Sequence, residues 1–159
     1  MDTFWVGVSN TLVVAVGVII AGAAIIHSGR VARKRESAAL LFQSRGDDVL
    51  QRGHAVIRER FNAHDKNIQS LADQFESEDA RAVRYVLNHF ETMSVGIQAG
   101  IYDEHMLKKC WCTMVVGTYD ETAALITAIR KKRSQPTVYQ EFEWLATRWR
   151  KNGIKVRPN

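Results

Sequence analysis

Between Asp2 and Arg30 the chain carries no Asp, Glu, Lys or Arg, and from Phe4 to Ile26 it is a largely apolar run. As a helix rising about 1.5 Å per residue, that run is roughly 35 Å long, enough to cross a hydrocarbon core about 30 Å thick. Its Phe, Val, Leu and Ile side chains favour insertion by roughly 0.3–0.6 kcal/mol each near the bilayer centre, about 4–7 kcal/mol together. Ser9, Asn10 and Thr11 oppose this, but Ser9 and Asn10 fall toward the N-terminal end, and Trp5 sits where an interfacial aromatic anchor would. The expectation is a single transmembrane helix. A cleaved signal peptide would need basic residues ahead of a shorter apolar stretch, whereas here the cluster Arg30, Arg33, Lys34 and Arg35 follows the run. The positive-inside rule then places the N-terminus outside and the remainder in the cytoplasm. The four basic side chains would contact anionic lipid headgroups, each adding about 1 kcal/mol near the surface.

Past the anchor about 130 residues remain, enough for one compact domain with its own core. All 22 Lys and Arg residues and every acidic residue except Asp2 lie there, giving that part a net charge of +6. The excess suits an anionic leaflet. Nucleic acid is the less expected partner, because the basic runs Arg130–Arg133 and Arg148–Lys151 fall at helix ends, where cations complement the dipole. The two cysteines, Cys110 and Cys112, point about 200° apart on a helix, which disfavours a shared disulfide or metal.

With two prolines and no period-2 alternation of useful length, the pattern reads as helix throughout. The predicted fold is all-α: one N-terminal transmembrane helix followed by a cytoplasmic multi-helix bundle. It divides into a transmembrane anchor (1–29), a juxtamembrane helical region (30–76) and a helical bundle (77–159). The first helix should run on into 36–44, burying Leu40, Leu41 and Phe42. Gly46-Asp47-Asp48 breaks the chain and caps a second helix to about Ala63, packed through Val49, Leu50, Val56, Ile57 and Phe61, with Gly53 a weak point. A short helix is expected over 67–75. Ser77 then caps a helix whose stripe is Val83, Val86, Leu87, Phe90, Ser94 and Ile97, stopped by Gly100. Asp103 caps the next, with Met106, Leu107, Cys110, Trp111, Met114 and Val115 inward. Gly117–Asp120 would end it and start another carrying Leu125, Ile126 and Ile129. Pro136 would open the last helix, lined by Val138, Phe142, Leu145 and Trp149.

The stretch RAVRYVLNHFETMSVGIQAGIYDE with the later TVYQEFEWLATRWRK resembles the uncharacterised bacterial and phage family named domain of unknown function 4760 (DUF4760), over roughly 79–150. The positions that carry the resemblance are Asn88, Glu91, Gly96, Gly100, Tyr102 and Asp103, then Phe142, Glu143, Leu145 and Trp149. It implies a helical, membrane-associated domain in a bacterial inner membrane, in a phage, prophage or host-defence setting. It brings no activity and supplies no catalytic residue. Residues 36–76 depart more freely from the family's pattern.

Arg84, Asn88 and Glu91 share one helix face at i, i+4 and i+7, as a recognition strip or as a structural polar network. Gly96 and Gly100 make a GxxxG spacing, and Gly17 and Ala21 offer a small-residue surface in the anchor, so self-association is open. Among five histidines, His64-Asp65 with His54 is superficially like the HD pair of metal phosphohydrolases, and Asp103-Glu104-His105 is a second cluster. The further ligands such chemistry requires are missing, and no His-Glu-x-x-His, Walker loop or Gly-x-Ser-x-Gly elbow occurs. No catalytic residue, metal or cofactor is expected. The leading expectation is a non-enzymatic membrane-anchored scaffold or regulator that binds a protein partner or itself. An oligomeric membrane-perturbing effector and an all-α metal-dependent hydrolase stand as alternatives.

Overall fold

Short-range side-chain caps set the starts of three helices. The Asp47 carboxylate accepts from the Leu50 amide at 2.9 Å, Ser77 from Ala80 at 3.2 Å and Asp103 from Met106 at 3.0 Å, each satisfying a donor that the first turn leaves open. Between them lie α1 (Asp2–Arg45), α2 (Asp48–Asn62), a 3-10 helix (Ile68–Ala72), α3 (Glu78–Gln98), α4 (Glu104–Arg133) and α5 (Gln140–Lys151), with no strand among the described residues. The computed structural model describes residues 2–62 and 67–153, with side chains from Gly17 onward.

The fold is all-α, as the pattern predicts. α2 and α5 each pack against both α3 and α4, so the four helices close a ring, and the 3-10 helix lies against α4. The expected stripe of α3 is buried throughout. At the centre Phe90 of α3 stacks on Phe142 of α5 with centroids 5.1 Å apart, and Tyr119 of α4 meets Phe142 edge-on at 5.5 Å. One cluster of buried side chains joins Leu41, Leu50, Ile57, Ile68 and Leu71 to the residues of α3–α5.

Several expectations are corrected. α4 is one helix of 30 residues, so Gly117–Asp120 does not divide it. A helical Gly costs only about 1 kcal/mol, and Thr118 and Tyr119, inside the supposed break, are held by packing. Cys112, not Cys110, is the buried cysteine. Pro136 lies in the turn before α5, not in its first turn. Phe42, Val49 and Phe61, expected inside, are exposed. The 67–75 segment yields only a 3-10 helix over Ile68–Ala72.

Among the described residues no helix is long and apolar enough to cross a membrane. α1 nevertheless runs as one helix through the apolar run and the basic cluster to Arg45. The part of the run with described side chains, Gly17 to Ile26, is too short to span by itself, and every one of those residues is exposed. The side chains of Trp5, Ser9, Asn10 and Thr11 lie outside the described residues.

Candidate functional site

Among the described residues α1 meets the bundle through its C-terminal part, and one buried serine fixes the junction. The Ser37 hydroxyl donates to the Arg33 carbonyl at 2.9 Å and accepts from the Asp103 amide at 2.8 Å, with Ser37 fully buried. Asp103 stands just past the corner where α3 ends. There Gly100 adopts φ +70, and the amides of Gly100 and Ile101 donate to Ile97 and Gly96 carbonyls at 3.1 and 2.9 Å, the paired bonds of a Schellman stop. Gly96 has no room for a side chain, because a Cβ there would collide with the Tyr102 ring. The GxxxG spacing therefore serves an intrachain contact and a helix stop.

Arg30, Arg33 and Lys34 precede Ser37 by seven, four and three residues, which places them on its face of α1. With Gly100, Tyr102 and Asp103 they line a cavity of about 390 Å³ between the α1 stalk and the α3–α4 corner. All four basic side chains are exposed, and Arg35 does not line the cavity. The four-residue basic cluster is thus split, three toward the bundle and one away.

The polar stripe on α3 is split as well. Arg84 donates to the Phe75 carbonyl, and its guanidinium lies 3.4 Å from the Phe75 ring centroid, with Arg133 over the same ring at 4.7 Å. Glu91 reaches across to α5, whose first residues have no local side-chain cap because Tyr139 stands at the N-cap with φ 57. Its carboxylate accepts from the Phe142 amide at 2.7 Å and the Glu141 amide at 3.4 Å. Burial pushes the Glu91 carboxyl up from its ordinary value, against the lowering by those two amides. Asn88, between them in sequence, is exposed.

Glu104 carries an interaction that the sequence did not disclose. It accepts from Arg148 Nε at 2.8 Å and from the Arg148 terminal nitrogen at 3.1 Å, while Trp149 Nε1 donates to the same carboxylate at 3.1 Å. The Arg148 bond holds the Glu104 carboxyl below its usual range, against burial. The Asp103-Glu104-His105 cluster therefore resolves into a cap, a tertiary clamp and an exposed imidazole.

His54 and His89 meet Phe90 edge-on at 5.8 and 5.4 Å, and their Nε2 atoms are buried with no hydrogen-bond partner among the described residues. Burial, then Arg58 and His89, lowers His54 to about 4; burial lowers His89 too. In both, burial favours the neutral imidazole. His54 borders a groove of about 720 Å³ between α2 and α4 with Arg58, Met114 and Glu121. His64 and Asp65 lie outside the described residues. Among the described ones, no group of three or more His, Cys, Asp or Glu is placed to hold a metal ion.

No curated protein and no solved structure matches this chain. The family resemblance read over 79–150 extends back to residue 11, taking in all but the first seven residues of the apolar run, α2 and the 3-10 helix. With residues 11–149 matched by the model of the domain of unknown function DUF4760, the chain belongs to that family.

Proposed function

We propose that this protein is a single-pass tether of the bacterial inner membrane. In this reading α1 anchors a non-enzymatic helical bundle at the cytoplasmic face, where it acts by contact with a protein partner or a second copy. The observation that carries the reading is the way α1 leaves the bundle. Val18, Ile19, Ile20, Ile25 and Ile26 are 60–72% exposed, and nothing from α2–α5 covers them. Leaving five such side chains in water forgoes about 1.5–3 kcal/mol each, roughly 10 kcal/mol together, a cost that lipid removes. The charge order supports the orientation, since the cluster at 30–35 follows the run directly.

In this function Arg30, Arg33 and Lys34 hold the stalk base against anionic headgroups, Arg35 adds only to the long-range attraction, and exposed faces of the bundle meet the partner. Deleting residues 1–29 should move the protein from the membrane fraction to the soluble fraction with the bundle still folded. A truncated chain that still pellets with membranes overturns the tether. Crosslinking the full-length protein in native membranes separates a self-assembling protein from an adaptor.

A further inference from the structure

The cavity between the stalk and the α3–α4 corner has the position and charge of a binding site for a phosphate group. We propose that it holds the phosphodiester of an anionic lipid headgroup, through Arg30, Arg33 and Lys34. The inference rests on the tether reading, and replaces a diffuse basic collar with one discrete site.

Three observations lead there. The first is charge that is not already used. Two carboxylates border the cavity, Asp103 and Glu104. Asp103 is engaged by the Met106 amide at the start of α4, and Glu104 by Arg148 and Trp149. Among the described residues, neither carboxylate forms an ion pair with Arg30, Arg33 or Lys34. Arg148 offsets the Glu104 charge, so three cations face a pocket against the single remaining carboxylate of Asp103, and the pocket stays net positive. An anion entering it meets guanidinium and ammonium donors suited to phosphate oxygens.

The second is shape. The bond from the Asp103 amide to Ser37 at 2.8 Å holds the corner beside the basic face of α1. Gly100 leaves the corner open, since a Cβ there would find nothing within 4 Å. The cavity's 390 Å³ is ample for a phosphate with part of a headgroup. The third is height. Counting from Ile26, residues 30–34 lie about 6–12 Å further along the helix axis. The interfacial layer on each side of the hydrocarbon core is about 5–8 Å deep. A stalk whose apolar run ends at the hydrocarbon edge carries this cavity at or just below the phosphates.

The test uses the full-length chain in phosphatidylcholine bicelles, with and without phosphatidylglycerol, read by hydrogen exchange over residues 99–104. Phosphatidylglycerol should slow exchange there by about tenfold. Arg33→Gln with Lys34→Gln should abolish that protection, and Arg35→Gln, which alters the cluster's charge but not the cavity, should change it less than twofold. Inorganic phosphate added to neutral bicelles should protect far less than the lipid at equal concentration. An Arg35→Gln loss as large as that of the Arg33→Gln, Lys34→Gln pair overturns the discrete site in favour of diffuse attraction. Equal protection by inorganic phosphate overturns the lipid assignment. A chain that enters the bicelles yet gains no protection from phosphatidylglycerol overturns the cavity alone, whereas one that fails to enter neutral bicelles overturns the tether as well.

Discussion

Glu91 and Glu104 are both acids that tie α5 to the rest of the bundle, and their environments give them opposite pH behaviour. Glu104 sits below its ordinary pKa because of Arg148. The stability it contributes is present above the unfolded carboxylate value of about 4.5 and is lost as pH falls through the lower folded value. Glu91 sits above its ordinary pKa because burial outweighs its two amide donors. Its protonation is favoured by folding, so its contribution is greatest below about pH 4.5 and shrinks as pH rises through the folded value. Glu104→Gln should therefore cost about 1–2 kcal/mol at neutral pH and flatten the acid limb of a urea-unfolding series. Glu91→Ala should cost about 0.5–2 kcal/mol by uncapping α5. His54 adds a third signature. With its folded pKa near 4 against 6.5 unfolded, stability should fall from pH 6.5 toward 4, and His54→Leu should remove much of that slope. The caps at Ser77 and Asp103 were legible in the sequence because donor and acceptor stand three residues apart. Glu91 and Glu104 meet partners 51 and 44 residues away, at distances no local pattern encodes.

Two glycines inside helices look alike in the sequence and behave oppositely. Gly53 weakens α2 by propensity alone, yet a Cβ there would strike Val86 Cγ2 and the Ala82 carbonyl on α3. The missing side chain is what lets α2 and α3 approach, and the obstruction includes backbone, which cannot rotate aside. Gly117, taken from the sequence as a helix end, lies in the middle of α4 with nothing within 4 Å of its missing Cβ. Gly53→Ala should destabilise by about 1–3 kcal/mol through overpacking. Gly117→Ala should stabilise by about 0.5–1 kcal/mol, since only backbone entropy changes. Thermal unfolding of the two variants side by side checks both signs. The same contrast explains what was readable at this scale. The α3 stripe is a periodic signal, and its burial followed from it. The continuity of α4 depends on Tyr119 meeting Phe142 across the bundle, and the sequence around Gly117-Thr118-Tyr119-Asp120 carries turn-forming residues with no sign of that contact.

At the scale of the whole molecule the question is how a long stalk is coupled to a four-helix ring. The all-α class was readable in the helical spacing of apolar residues and the lack of period-2 alternation. The run from Phe4 to Ile26 was legible as a helix and not as a shown membrane span. The coupling was not, because Ser37 sits among charged residues and has nothing local to mark it. Its hydroxyl nevertheless bridges the Arg33 carbonyl and the Asp103 amide, 66 residues apart in the second case. Apart from this bridge, α1 adds Leu41 to the core and rests Leu40 against it. Ser37→Ala should leave the Asp103 amide without its acceptor, at a cost of about 1–3 kcal/mol. That cost belongs to docking the stalk, not to forming the ring, so it should appear as a local opening. Amide exchange at Asp103 and at Leu40–Leu41 should quicken by roughly 5- to 150-fold, in line with that energy. The amides of α3 and α5 around Phe90 and Phe142 should keep their protection. If those core amides accelerate equally, stalk and ring unfold as one unit, and α1 is a structural member of the bundle whose orientation at a membrane surface is fixed by the fold. If only the junction responds, a single hydroxyl sets the angle at which the bundle is presented.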